Sequence, residues 1–274
     1  MTTSVGVDLA VIGGGTMACA ILRGAFDAGI LEPGRVVVAE PAPERRSALA
    51  DLGCATVARA GGLDAQLPTG ARVLLAVKPQ MLAQVAQELA GRARGRCVIS
   101  VLAGVTLARL EGALGPGLRA IRTMPNLPAR VGRGITAIAP SAGVGEDDAA
   151  FCRRLFGSVG QTIDLPEDLI DAFTGVAGSG PAYVFYLAEA MLAGADAVGL
   201  PPDQAGRIVR ATIAGASALL DTDDADPAAL RAAVTSKKGT TDAAIRTLER
   251  AGVRDAVVRA IVAARDRGRE LADP

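Results

Sequence analysis

The chain has 274 residues, half of them hydrophobic, with 29 basic and 29 acidic side chains and no formal net charge. That length suits one large domain or two of ordinary size, and a hydrophobic core is easily filled. Balanced charge argues against a general nucleic-acid binder, and the absence of histidine removes histidine metal sites, histidine general bases and Ser–His or Cys–His nucleophiles.

The chain opens without a basic region followed by an apolar stretch and a cleavage site. Residues 5–12 are an apolar run broken by Asp8 and stopped by Gly13-Gly14-Gly15, which reads as a buried strand and its turn. Met17, Ile21, Leu22 and Phe26 then recur at helical spacing up to Gly29. Residues 35–39, with Val36-Val37-Val38, are a second buried strand, and residues 43–52 a helix ended by Gly53. A strand at 73–77 is stopped by Lys78-Pro79, and residues 80–89 are helical. A strand at 97–101 turns at Ala103-Gly104, a helix begins at Thr106, and residues 118–121 are again a strand. Residues 124–128 read as a loop, and 135–139 and 161–164 as later strands of the same sheet. Between them, residues 145–156 are helical, with Asp147 and Asp148 in the first turn. Strand and helix alternate, and the strands are apolar throughout, so the expected fold is α/β, a doubly wound parallel sheet covered on both faces.

Near Pro166 the texture changes to helices and turns without a clear strand. Helical periods cover 168–176, 182–198, 203–220, 228–234, 242–249 and 254–271. Gly178-Ser179-Gly180-Pro181 interrupts the first, and residues 221–227 form an acidic turn. The expected domains are therefore 1–165, α/β, and 166–274, all-α. The pattern at 182–198 carries few charges on any face and calls for burial all round. So small a helical domain leaves that burial to a subunit interface, which predicts a homo-oligomer.

No apolar stretch reaches the length of a membrane span, and aromatic residues are too few for stacking on single-stranded nucleic acid. Cys19, Cys54, Cys97 and Cys152 are far apart and form no C-x-x-C pair. They read as reduced, mostly buried thiols of a cytoplasmic protein with no membrane or nucleic-acid partner.

Ile12-Gly13-Gly14-Gly15-Thr16-Met17-Ala18 fits G-x-G-x-x-A, follows the first strand and opens a helix, the context of a dinucleotide site. Gly13 permits the tight turn, Gly15 lets the pyrophosphate approach the backbone, and Ala18 allows close helix–strand packing. Glu40 ends the second strand, where an acid holds the 2′-hydroxyl of NAD. Arg45 and Arg46 follow closely and either meet a 2′-phosphate or sit solvated on a helix. Ala76, Val77, Lys78 and Pro79, and Leu102 and Ala103, stand at the ends of the next strands and are expected to border the cofactor. Lys78 reads as a positioning or packing residue beside the fixed Pro79 turn. No metal site is expected.

Thr235-Ser236-Lys237-Lys238-Gly239-Thr240-Thr241-Asp242 combines hydroxyls, lysines and a glycine at a helix start, where unpaired N–H groups and the dipole hold a small anion. The phosphates belong at Gly13 to Met17, which leaves this loop for the substrate.

Gly13-Gly14-Gly15-Thr16-Met17-Ala18, Ala76-Val77-Lys78-Pro79-Gln80, Arg122-Thr123-Met124-Pro125-Asn126, Gly178-Ser179-Gly180-Pro181-Ala182-Tyr183, Val234-Thr235-Ser236 and Gly239-Thr240-Thr241 occur in an order and spacing that resembles the pyrroline-5-carboxylate reductase family. The resemblance covers nearly the whole chain. It implies an N-terminal Rossmann domain and a C-terminal helical dimerisation domain, as interlocked dimers that often assemble into larger rings. It implies reduction of the cyclic imine Δ1-pyrroline-5-carboxylate to L-proline, the last step of proline biosynthesis. NADPH is the expected cofactor, with NADH also open. By the same resemblance Ser236, Gly239, Thr240 and Thr241 hold the substrate carboxylate, and the Thr241 hydroxyl faces the ring nitrogen. Thr241 and Ser236 are the expected catalytic residues.

Family members commonly carry Asn at Thr16, Thr at Leu127, a second Gly at Lys238, and an Asn near Gly62-Leu63. A glycine at Lys238 implies positive φ or close approach to the substrate; lysine meets the first at a cost and the second by shifting the loop. Without histidine, the proton for nitrogen comes from solvent or arrives on the substrate. The alternatives are a related imine reductase, a β-hydroxyacid-dehydrogenase-like enzyme, or a non-catalytic NADP-binding regulator. The G-x-x-G-x-G-x-x-x-K pattern of those dehydrogenases is missing from the sequence.

Overall fold

The structure is a computed structural model that describes residues 7–63, 68, 70–89, 91, 93–222 and 224–272. Val5 and Gly6 of the expected first strand, and Asp223 of the acidic turn, lie outside the described residues. The chain divides into two compact units, Met1–Gly178 with Ala264–Pro274, and Ser179–Ala263.

The first unit is built on one eight-stranded sheet. Strands β1 (Leu9–Ile12), β2 (Val36–Ala39), β3 (Ala55–Val57), β4 (Arg72–Leu75), β5 (Cys97–Ser100), β6 (Arg119–Pro125), β7 (Gly134–Pro140) and β8 (Gly160–Asp164) lie in the order β3-β2-β1-β4-β5-β6-β7-β8. Helices α1 (Thr16–Asp27), α2 (Pro43–Asp51), α3 (Leu82–Leu89), α4 (Leu107–Leu114) and α5 (Glu146–Gly157) accompany them. Side chains alternate across the sheet, so Leu9 and Val11 pack with Ile21, Leu22, Leu155 and Phe156, while Ala10 and Ile12 pack with Leu75, Leu89 and Leu110. Both faces are covered, which is why these strands read as unbroken apolar runs rather than alternating ones.

The doubly wound parallel sheet is present from β3 to β6, and three details depart from the sequence reading. First, β7 runs antiparallel to β6, and β8 parallel to β7, so the last two strands are reversed. The link from Pro125 to Gly134 is too short for a parallel crossover, which needs a dozen residues or more. Second, Met124 and Pro125, expected in a loop, finish β6 opposite Ala137 and Thr136. Third, β3 was not expected: it is a three-residue edge strand, half-exposed and too short to show a pattern.

The expected helix at 168–176 is three successive turns of different pitch. A 3₁₀ turn (Glu167–Leu169) leads into α6 (Ile170–Phe173) and then a π turn (Thr174–Gly178). Arg122, buried on β6, pairs with Asp171 at 2.7 Å and ties this segment to the sheet. At the N-terminal rim of the sheet, Asp148 accepts hydrogen bonds from Arg72 Nε and Arg119 Nη1, each at 2.8 Å. The Arg72 guanidinium also lies 4.3 Å from the Phe151 ring centre.

The second unit is helical: α7 (Gly180–Ala197), α8 (Pro202–Leu220), α9 (Pro227–Ala233), α10 (Thr240–Arg250) and the first part of α11 (Val253–Ala272). Asp226 caps α9, its carboxylate accepting from the N–H groups of Ala228 and Ala229. The expectation that the 182–198 helix is buried all round is not met within one chain. Of the α7 residues only Ala195 is buried, and Phe185 and Tyr186 are 55% and 74% exposed. Among the described residues, no helix is long and apolar enough to cross a membrane.

Candidate active site

The sheet order reverses direction between β1 and β4, and a crevice opens there at the C-terminal ends of the strands, where sheets of this type bind ligands. Its volume is about 780 Å³. Ile12, Gly13, Gly14, Gly15 and Thr16 line it from the turn after β1, and Ala76, Val77 and Lys78 from the turn after β4. Backbone bonds hold these turns together: Ala76 N–H donates to Ile12 C=O at 2.8 Å, and Gly13 N–H to Ala39 C=O at 2.9 Å.

The glycines have separate reasons. Gly13 sits at φ +97°, and a Cβ there would fall 2.6 Å from the Ala76 carbonyl oxygen. A Cβ on Gly14 would overlap a Leu49 methyl on α2. Around Gly15 nothing lies within 4 Å of the Cβ position, so that side is open space. Gly15 is the N-cap of α1, no side chain caps the helix, and its first turn holds no acid. The turn therefore offers a helix N-terminus beside a side-chain-free backbone, which fits the pyrophosphate of a dinucleotide.

Four of the expected cofactor residues do not line the crevice. Met17 faces the core on α1, Pro79 opens a 3₁₀ turn (Pro79–Met81), Leu102 is buried in the core and Ala103 stands behind it, half-buried. Several lining residues were not foreseen, among them Cys19, Arg59, Met81 and Glu88. Arg59 and Ala60 follow β3, so recognising that short strand would have placed them. Glu88 is held there because its carboxylate accepts the Ala60 N–H at 3.0 Å. Burial pushes the Cys19 thiol up from its ordinary value, so it is a neutral wall group of the crevice.

Glu40, just past β2, is buried on the crevice floor. Its Oε2 accepts the Gly14 N–H at 2.8 Å and its Oε1 the Ala42 N–H at 3.0 Å. Arg45 Nη1 stands 3.8 Å from Oε1 and lines the crevice. Arg46 turns back on its own chain, donating to the carbonyls of Glu40 at 2.8 Å and Pro41 at 2.7 Å.

The second unit carries the other expected site residues in one turn. Gly239 N–H donates to Ser236 C=O at 2.9 Å, and a Cβ on Gly239 would collide with the Ser236 hydroxyl. Gly239 is the N-cap of α10, and no side chain caps that helix either. Ser236 and Thr240 are exposed and Thr241 is half-buried. Lys238 has φ +62°, the left-handed conformation that a glycine adopts freely. Asp242, in the first turn of α10, accepts the Lys238 N–H and pairs with Arg246 at 3.0 Å. Thus Ser236, Gly239, Thr240 and Thr241 are gathered together in one turn.

Known proteins resemble the chain along its whole length. The family model described as pyrroline-5-carboxylate reductase dimerisation matches residues 167–271, and the one described as NADP oxidoreductase, coenzyme F420-dependent, matches residues 8–104. A pyrroline-5-carboxylate reductase of Synechocystis is 40% identical over 97% of this chain and 98% of its own. The solved pyrroline-5-carboxylate reductase of Coxiella burnetii superimposes with a TM-score of 0.88 at 32% identity, covering 98% of this chain and 99% of that one. The Plasmodium falciparum enzyme, solved with NADP bound, shares the fold with a TM-score of 0.86 at 22% identity, over 97% and 98% of the two chains. Fold and crevice define a nicotinamide-dinucleotide oxidoreductase of the Rossmann type. The chain belongs to the pyrroline-5-carboxylate reductase family.

Proposed function

We propose that this enzyme reduces Δ1-pyrroline-5-carboxylate to L-proline, the last step of proline biosynthesis. The observation that carries the reading is the uncapped turn at Gly239, where the Ser236 hydroxyl stands over a bare backbone and the N–H groups of the helix start suit a small carboxylate. It occurs in a chain that also has a glycine-lined dinucleotide crevice.

The reduced nicotinamide, when bound, supplies a hydride to the imine carbon. Ile12, Gly13, Gly14, Gly15 and Thr16 hold the dinucleotide, with Ala76, Val77 and Lys78 on its other side. Ser236 and the N–H groups of Thr240 and Thr241, beside the bare Gly239 backbone, hold the substrate carboxylate. The Thr241 hydroxyl hydrogen-bonds the ring nitrogen, and solvent or the substrate itself brings the proton. Orientation of the imine then accounts for much of the rate.

Residues 1–165 form the cofactor domain in this reading, and 166–274 the substrate and dimerisation domain. The enzyme works as a homodimer, alone or in larger rings. The apolar side chains that α7 leaves in water support a second copy, since such surface is rarely left bare. Free thiols at Cys19, Cys54, Cys97 and Cys152 agree with work in the cytoplasm.

The test is loss of nicotinamide absorbance when purified protein meets pyrroline-5-carboxylate with NADPH or NADH, with proline identified as product. Cofactor binding without turnover would point to a regulator, and turnover only of other imines to a relative with another substrate.

A further inference from the structure

We propose that Glu40 selects a dinucleotide whose adenosine ribose is unphosphorylated, so that this enzyme takes NADH in preference to NADPH. The proposal rests on reading the crevice as the cofactor site, and it sets aside the expectation of NADPH.

Glu40 follows Ala39, the last residue of β2, on the strand beside β1. In sheets of this type the adenosine ribose lies at that strand end. The side chain is 5% exposed, and both oxygens are held, one by Gly14 N–H at 2.8 Å and the other by Ala42 N–H at 3.0 Å. A carboxylate so fixed does not swing away without leaving those N–H groups unpaired.

Each oxygen keeps a further lone pair for a ribose hydroxyl. A 2′-phosphate has largely lost such a proton at neutral pH and brings negative charge against a charge that cannot move, in a medium less screened than water. The nearby arginines do not offset this. Arg46 is spent on the carbonyls of Glu40 and Pro41. Arg45 is 62% exposed and already faces the carboxylate, and Arg59 is exposed at the crevice wall, so solvent screens both.

The Gly14 bond adds a second role: the residue that reads the ribose also positions the glycine turn that receives the pyrophosphate.

The experiment is calorimetric titration of the full-length protein with ADP-ribose and 2′-phospho-ADP-ribose, which bind without turnover. Wild type should bind ADP-ribose tighter by about tenfold or more, the scale of a like-charge contact. Glu40→Gln keeps the shape and an acceptor, and should shrink that ratio severalfold; Glu40→Ser should shrink it further. Arg45→Ala should leave the ratio unchanged within about twofold, as expected of a solvated charge. A general loosening of the turn weakens both ligands and cancels in the ratio. Equal or tighter binding of the 2′-phosphate by wild type, an unchanged ratio in Glu40→Gln, or a ratio changed well beyond twofold in Arg45→Ala would each overturn the proposal. Failure of wild type to bind either compound would overturn the crevice reading itself.

Discussion

The Lys238 N–H donates to the Asp242 carboxylate at 3.1 Å, and this bond closes the turn that leads into α10. It holds Lys238 at φ +62°, one of two non-glycine residues with positive φ among those described. A left-handed L-residue costs about 1–2 kcal/mol, so the side chain at this position sits under strain that a glycine would not. Lys238→Gly should therefore be more stable than Lys238→Ala by about 1 kcal/mol, read as chemical-denaturation midpoints at constant slope. Equal midpoints would mean that the backbone is not left-handed in solution. Asp242→Ala should lower stability by about 1 kcal/mol, since it removes the acid from the first turn as well as the Lys238 bond.

Gly13 and Gly15 should separate folding from binding. Gly13→Ala puts a Cβ 2.6 Å from the Ala76 carbonyl at φ +97° and should destabilise the first unit by about 3 kcal/mol or more. Gly15→Ala meets nothing within 4 Å. It should melt within a few degrees of wild type yet weaken dinucleotide binding by about tenfold, because the methyl enters the space left for the ligand. Thermal melts with calorimetric titration check both.

Thr241→Ala should lower kcat by on the order of a hundredfold while leaving the dinucleotide Kd within about twofold, as expected for a group that contacts only the reacting ring. Thr241→Ser should recover part of the loss because it restores the hydroxyl. An unchanged kcat in Thr241→Ala sinks the assignment.

The buried thiols set an alkaline limit. Burial pushes Cys54 from 9.0 to about 11, and burial followed by the neighbouring Asp148 charge pushes Cys97 to about 12. The unfolded chain loses these protons first, so stability is fully present below pH 9.0 and declines as pH rises toward those values. Between them the slope approaches ~1.4 kcal/mol per pH unit for each thiol. Cys54→Ala and Cys97→Ala should each flatten the fall in denaturation midpoint above pH 9.0, whatever they do to stability at pH 7.

Much of this was readable from residue order. Gly13-Gly14-Gly15 after an apolar run located the crevice, and Gly239-Thr240-Thr241 located the second turn, because glycines mark places where a neighbour or a ligand comes close to the backbone. The reversal at β7 was readable too, since the eight residues between Pro125 and Gly134 cannot cross over a sheet. Ala55-Thr56-Val57 was not, for three half-exposed residues show no period. Missing it hid Arg59 and Ala60. Leu102 and Met17 are expected at the cofactor from their place in the sequence, but they do not line the crevice: Leu102 is buried in the core and Met17 packs half-buried against it.

The two rims of the central sheet are chemically unlike. At one, a single acid, Asp148, staples arginines from β4 and β6, with Phe151 beneath. At the other, backbone N–H groups and bare glycines are left for a visitor. A library of substitutions sorted by heat resistance would draw its losses from around Asp148, and one sorted by nucleotide affinity from around Gly15. The two sets of positions would meet at Gly13 and Gly14, where the turn has no room for a side chain, and part at Gly15 and Asp148, where durability and cofactor affinity can be altered one at a time.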